Sequence, residues 1–582
     1  MTNLPDYLTF LYGADRSPQL FDRVQKIMEG YRGRISTRDD SLTERDSILI
    51  TYGDQVQTPG EKPLQTLSVF CRQNLAGVVN GIHILPFYPW TSDDGFSVVD
   101  YRKVDPDLGA WVDISSMQSH FRLMFDGVIN HISSQSDWFK SFLNDDLHYR
   151  DYFVVVDGSP DLSQVVRPRA LPLLTTFKTP SGEKRVWTTF SEDQIDLNFQ
   201  NPEVLLEILD VLLMYVEQGA TFIRLDAIAY LWKEIGTSCI HLPQTHSVIQ
   251  FLRAAMNDLA PHVYLITETN VPHMDNISYF GDGSNEAQLV YNFALPPLTL
   301  HTFRTGDARI LSEWAKTLTL PSEHVTFFNF LASHDGIGLN PARGILPPAD
   351  IDALVEKTLE HGGLVSYKHN SDGTQSPYEM NINYFDALSN PQNVLQSTLP
   401  SPSSAEGQPP RTAAEAESLD LQVNRFIAAH AIMLSLVGVP GIYFHSLFGS
   451  RGWMDGVKQT GRNRTINREK CDLTSLQREL ADPQSLRARV FVRFYQLLSA
   501  RSNSPAFDPH GTQKILDLHP SIFALERFSP DRAARVLCLH NVSQQKITLS
   551  TPYESGTDLF TNQPMDVSQI SLDSYQILWI KL

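Results

Sequence analysis

TFIRLD at residues 221–226 and VYLITE at 263–268 are short, largely apolar runs that each close on a single acid. Consecutive apolar residues, unlike an alternating pattern, mark strands covered on both faces, as in a parallel sheet flanked by helices. Six further runs have the same character: SILITYG at 47–53, GIHILPF at 81–87, RLMFDGVI at 122–129, QLVYN at 288–292, VTFFNFLA at 325–332 and GIYF at 441–444. Helix-like segments separate them. Eight strands alternating with helices predict an α/β chain closed into a (β/α)8 TIM barrel rather than an open sheet.

The spacings after the third and seventh runs are too long for a simple βα repeat. They predict two inserted subdomains, at 131–195 and 336–395, overhanging the same end of the barrel. The barrel itself is then divided among residues 46–130, 196–335 and 396–504. Residues 1–45, with the helix-like FDRVQKIMEGYRGR, read as a helical N-terminal extension packed on the outside. Beyond 505, strand-like runs such as SIFALERF and RVLCLHNV predict a small C-terminal β domain over 505–582. Residues 396–416, rich in Pro, Ser and Ala, read as an exposed connection whose second half starts a helix. The apolar stretch from Phe426 to Phe444 contains His430, Gly438, Pro440 and Gly441, so it reads as a buried helix ending near Val437 and then a buried strand, not a membrane span.

With 47 Lys and Arg against 66 Asp and Glu, the 582-residue chain carries a net charge of −19. Phosphate backbones and anionic membranes repel such a surface, so neither nucleic acid nor membrane is an expected partner. The four cysteines, Cys71, Cys239, Cys471 and Cys538, have none of the short spacings of zinc or redox sites and read as reduced core thiols. The N-terminus has neither a basic start nor a long apolar run, and a cytoplasmic location is expected. DSLTERD at 40–46 lacks the alternating oxygen ligands of a calcium loop; no metal and no other cofactor is expected. Nothing in the sequence sets the oligomeric state.

Three acids stand at or just past the ends of these strands: Asp226, Glu268 and, after FNFLASH, Asp335. In a barrel those ends converge on one face, where the loops build the active site. A lone acid at a strand end more often caps a helix. Three converging on one pocket form a constellation. Arg224 lies two residues before Asp226, so the strand period turns both to the barrel axis, where the guanidinium is expected to lower the Asp226 pKa and keep it an ionised nucleophile. Glu268 has no such neighbour in sequence and is the candidate protonated acid. Two carboxyls in opposed protonation states are what cleavage of a glycosidic bond requires. A structural ion pair would account for Arg224 and Asp226 but not for Glu268 and Asp335.

DGVINH (126–131), FIRLDA (222–227), ITETN (266–270) and ASHDG (332–336) resemble, in order, the four signature regions of the α-amylase clan, and QIDLNFQNP (194–202) resembles a fifth. The resemblance implies that Asp226 is the nucleophile, Glu268 the acid and base and Asp335 the transition-state stabiliser, with Arg224, His131 and His334 binding the donor sugar. Residues 81–109, RPRALPLLTTF (167–177) and GRNRTINR (461–468) are similar to the sucrose phosphorylase group of that clan, which implies Asp93 and Phe96 as contacts to the terminal glucose. Arg464, Arg462 and Arg169 in these segments supply planar donors suited to phosphate, although a solvated basic loop would look the same.

SPYEMN (376–381) aligns with the acceptor loop of that group, making Tyr378 and Glu379 candidate substrate contacts. Ser376 and Glu379, however, stand where an Asp and a Gln are usual. With the N-terminal extension and HDGIGLNPARGIL (334–346), this departure makes the chain resemble the glucosylglycerate phosphorylases, in which case Arg343 or Lys368 is placed to receive a glycerate carboxylate. The expected partners are therefore a small glucoside and inorganic phosphate. Sucrose, glucosylglycerol and sucrose 6-phosphate phosphorylases are the near alternatives. An α-glucosidase or transglucosidase, and a non-catalytic sugar-binding barrel, are the remaining ones.

Overall fold

The computed structural model describes residues 3–36, 41–168, 171–369, 374–391 and 417–582; Arg169 and the 396–416 connection lie outside them. Eight parallel strands close into a barrel: β1 (Ile48–Thr51), β2 (Gly81–Ile84), β3 (Arg122–Gly127), β4 (Ala220–Leu225), β5 (Tyr264–Thr267), β6 (Leu289–Tyr291), β7 (Thr326–Asn329) and β8 (Val439–Tyr443). Their order around the ring is β1, β8, β7, β6, β5, β4, β3, β2. Each overlaps one of the eight apolar runs, and β8 starts two residues before GIYF, at Val439. Gly441 in β8 is required by packing: a Cβ there would stand 2.4 Å from the Phe328 ring of β7.

Local signals explain the helices around the ring. Helix Pro202–Glu217 opens with Asn201 capping the Glu203 amide and proline in its first turn, and buries an almost wholly apolar face against the strands. Helix Leu419–Ser435 is capped by Ser418 and runs on into β8, so the apolar stretch from Phe426 is a buried helix followed by a buried strand. No helix among the described residues is long and apolar enough to cross a membrane.

Two excursions leave the C-terminal ends of the strands. The one after β3 is pinned at its base where His131–Ser133 pairs antiparallel with Gln194–Asp196, and carries the hairpin Leu174–Thr179 with Gly182–Trp187. The one after β7 forms a three-stranded antiparallel sheet with Gln375–Asn381 between Ile337–Gly338 and Leu364–His369. β3 and β7 are four places apart in the ring of eight, so the excursions rise on opposite sides of the mouth.

On the outside, helix Leu4–Tyr12 packs on helix Pro243–Leu259, and helix Ser17–Tyr31 packs along Pro202–Glu217, where Arg23 pairs with Glu203 and the Tyr31 hydroxyl donates to Asp210. Periodicity pointed to one helix in this region, and the first, only nine residues long, was too short to register. The C-terminal residues form a six-stranded and a two-stranded sheet.

Two fully buried arginines stitch this sheet to the floor of the barrel. Arg501 donates to the carbonyls of Glu44, Asp46, Gly438 and Phe507, and Arg527 to those of Ser435 and Asp508. Burial lowers their pKa values, to about 9 and about 10, without removing the charge at neutral pH. Arg501→Met should strand three buried carbonyls and one partly buried one at once, and lower the thermal midpoint by about 5 °C or more. A melt within about 1 °C of wild type would show that the carbonyls find other partners.

Candidate active site

Asp226 directly follows β4, Glu268 directly follows β5, and Asp335 lies in the loop after β7. All three line an open cavity of about 680 Å³ at the barrel mouth. Asp93, Phe96 and His131 line it from the loops after β2 and β3; His334, Tyr378 and Arg464 line it from those after β7 and β8. Nine of the sequence-derived site residues thus meet in one pocket.

Arg224 lies beneath this floor rather than in it, with its side chain only 2% exposed. Its Nη1 donates to Asp126 Oδ1 at 2.5 Å and to Asp226 Oδ1 at 2.9 Å, and its Nη2 is 4.0 Å from Glu268 Oε1. Asp126 is the register partner of Arg224 on the neighbouring strand and also meets His83 Nε2 at 2.7 Å. Burial alone would raise the Asp126 pKa, but Arg224 and His83 outweigh it and hold the carboxyl ionised.

Asp226 behaves differently from expectation. Burial pushes its pKa well above the ordinary carboxylate range, Arg224 opposes this, and Glu268, Asp126 and Asp335 push it up further. Burial is the largest cause; the guanidinium does pull Asp226 down as expected, but it is outweighed and is also shared with Asp126. Burial and Asp335 also raise Glu268, against Arg224, the Ala227 amide and Arg464. Asp226 and Glu268 therefore titrate as a pair. Ala227, between them, has a left-handed backbone (φ 51°), and its N–H donates to Glu268 Oε2 at 3.0 Å. This conformation, uncommon for a residue with a Cβ, ties the two strand ends together.

Asp335 is set apart by its cations. Arg464 Nη1 is 2.6 Å from its Oδ1 and Arg468 Nη2 3.7 Å away; against the upward pull of burial they hold Asp335 well below the ordinary carboxylate range. In the wall beside it the Phe96 ring stacks on His334, centroids 4.8 Å apart and planes 4° apart. Burial keeps both histidines neutral, His334 at a pKa of about 3 and His131 at about 4. His131 Nε2 donates to Phe96 O at 2.8 Å, which orients both residues of the wall. Asp93 and Asp94 both adopt left-handed backbone, φ 54° and 48°.

Sequence reasoning passed over several groups. Arg468, in the quoted GRNRTINR segment, is buried, donates through Nε to His334 O at 2.8 Å and pairs with Asp94. Lys233 is also buried, bonded to Asn130 Oδ1 at 2.8 Å and Asp196 Oδ2 at 2.6 Å, where it locks the excursion after β3 to the strand ends. Asn130 and Asp196 lay inside recognised segments; Lys233, in an unpatterned loop, gave no signal.

Other expected contacts do not reach the cavity wall. Glu379 is 1% exposed and stands behind Arg464, accepting from its Nε and Nη2. Arg462 is exposed. Arg343 donates to Pro377 O at 3.1 Å, and Lys368, partly buried, is 3.4 Å from Asn340 Oδ1; neither lines the cavity.

A closed (β/α)8 ring with three carboxyls converging at its C-terminal mouth defines the class of the α-amylase barrel enzymes, and residues 76–336 match the α-amylase catalytic domain. Glucosylglycerate phosphorylases are similar over almost the whole chain. That of Allomeiothermus silvanus is 50% identical, covering 99% of this chain and 97% of its own. Those of Spirochaeta thermophila and Escherichia coli are 48% and 43% identical, each also over 99% of this chain and over 97% and 99% of their own. A sucrose phosphorylase of Agrobacterium vitis is 29% identical over 79% of this chain and 88% of its own. The crystal structure of sucrose 6F-phosphate phosphorylase from Thermoanaerobacter thermosaccharolyticum has the same fold, with TM-score 0.73 and 24% identity over 91% of this chain and 98% of that one. The chain belongs to the α-amylase family, in the branch of the glucosylglycerate phosphorylases.

The raised pair has a kinetic consequence. A group whose pKa is raised stays protonated to higher pH and loses its proton as pH climbs through that value, so donor cleavage should fall on the alkaline side at a midpoint above the ordinary glutamate range. In Glu268→Gln that limb should vanish from the cleavage of α-glucosyl fluoride, whose leaving group needs little acid help. A limb retained in the variant would assign the proton elsewhere.

Proposed function

We propose that the protein is a retaining α-glucoside phosphorylase that converts 2-O-α-D-glucosyl-D-glycerate and phosphate into α-D-glucose 1-phosphate and D-glycerate. The observation that carries this reading is full-length identity of 43–50% to three glucosylglycerate phosphorylases, far above the 29% to a sucrose phosphorylase. The pocket chemistry supports it.

In the first step the Asp226 carboxylate attacks the anomeric carbon, Glu268 gives its proton to the glycosidic oxygen, and glycerate leaves. Arg224, in contact with Asp226 but 4.0 Å from Glu268, favours the charge on Asp226 and the shared proton on Glu268. In the second step Glu268 takes a proton from the incoming phosphate, a phosphate oxygen attacks the same carbon, and the ester to Asp226 breaks. Two displacements restore the α configuration. Asp335, ionised and held by Arg464 and Arg468, faces the positive charge that develops on the sugar ring. His131, His334, Phe96 and Asp93 form the donor wall, and Tyr378 and Arg464 the acceptor side. A cytoplasmic location belongs to the same proposal and is supported by four buried cysteines that are all free.

Asp226→Asn should lower glucosyl transfer by roughly 10⁴-fold or more, and a fluorinated glucosyl donor should label Asp226 in the wild type. Label on another carboxylate would overturn the assignment. With α-glucose 1-phosphate as donor, D-glycerate should be preferred to glycerol and to fructose; fructose as the best acceptor would return the chain to the sucrose phosphorylases.

A further inference from the structure

Glu379 turns both of its carboxylate oxygens to a single partner, Arg464, with Nε at 3.0 Å from Oε1 and Nη2 at 2.7 Å from Oε2. Such a two-point pair fixes the plane of the guanidinium and occupies two of its three nitrogens. The third, Nη1, then lies 2.6 Å from Asp335 Oδ1 as a charge contact. Glu379 itself is held firmly, on the central strand of the sheet after β7, opposite Gly338 on one side and Ser366 on the other. Asn463, one residue from Arg464, donates to the Ser366 hydroxyl and ties this sheet to the loop after β8. A Cβ at Gly336 would come within 2.7 Å of the Glu379 side chain, so the backbone beside Asp335 closes directly over it.

We propose that Glu379 is a positioning residue which, through Arg464, sets how strongly the acceptor side of the pocket holds an anion. Two fixed carboxylates, Asp335 and Glu379, share one guanidinium, and the next cation, Arg468, is itself paired with Asp94. That side of the pocket therefore offers an incoming anion a fixed guanidinium without surplus positive charge. The inference rests on the phosphorylase reading, in which phosphate and glycerate, both anions, must replace one another in every cycle. An arginine left unopposed would retain whichever anion had last arrived and slow its exchange. Opposed by Glu379, it guides an anion and lets it go.

The test is charge selectivity at the glucosyl-enzyme, read with α-D-glucosyl fluoride as donor and azide and methanol as competing acceptors, one anionic and one neutral. E379Q removes one negative charge at nearly constant volume and should raise the azide-to-methanol product ratio about three- to tenfold. E379D, which keeps the charge, should stay within about twofold of wild type even where its rate falls. Arg464→Gln gives an independent reading if E379Q does not fold, and should lower the ratio below wild type. An unchanged ratio in folded E379Q, an equal rise in E379D, or a ratio indifferent to loss of Arg464 would each overturn the proposal. Wild-type enzyme in the same assay with phosphate separates the two claims. Failure to form glucose 1-phosphate alongside the E379Q shift would sink the phosphorylase reading and leave the role of Glu379 standing.

Discussion

The mouth of this barrel depends on the cation of Arg224. Burying one carboxylate away from water is costly, and here Asp126, Asp226 and Glu268 crowd together at the ends of β3, β4 and β5. One guanidinium beneath them touches Asp126 and Asp226 and lies 4.0 Å from Glu268. Arg224 and His83 hold Asp126 as an anion, while burial, only partly opposed by the same guanidinium, raises both Asp226 and Glu268. A site that must present one ionised and one protonated carboxyl side by side is made by rationing positive charge, as much as by supplying it.

The same logic divides the pocket into two halves. On one side the aromatic part of the wall is uncharged: a stacked phenylalanine and histidine, and a second histidine kept neutral by burial. On the other side, charges occur in opposed sets, Arg464 with Asp335 and Glu379, and Arg468 with Asp94. The leading interaction in both halves is with protein rather than solvent, so the geometry exists before a substrate arrives.

Much of this was legible in the sequence. Barrel strands buried on both faces leave consecutive apolar residues, and each such run overlaps an observed strand. Because Asp226 and Glu268 follow strands whose ends must converge, their meeting followed from topology. What escaped detection lies one layer out or depends on partners. The sharing of Arg224 with Asp126 could not be read from the two-residue spacing to Asp226, because Asp126 lies on a different strand. Glu379 read as a substrate contact because SPYEMN resembles an acceptor loop, whereas a β-strand turns neighbouring side chains to opposite faces, and of these two residues Tyr378 reaches the cavity. Lys233 completes a buried network from a loop without periodicity, where no pattern distinguishes it from a solvated lysine.

The excursions after β3 and β7 face each other across the ring, each anchored at its base to the strand ends that carry the chemistry. Mechanically the pocket is a vice whose jaws are mounted on a rigid frame. Asp226, Glu268 and Arg224 stand on or directly after strands of the frame and not on the jaws, whereas Asp335 borders the jaw after β7. Changes along the jaws away from Gly336 and Glu379 thus leave the placement of Asp226, Glu268 and Arg224 to the frame, and one frame of this kind can carry differently shaped mouths.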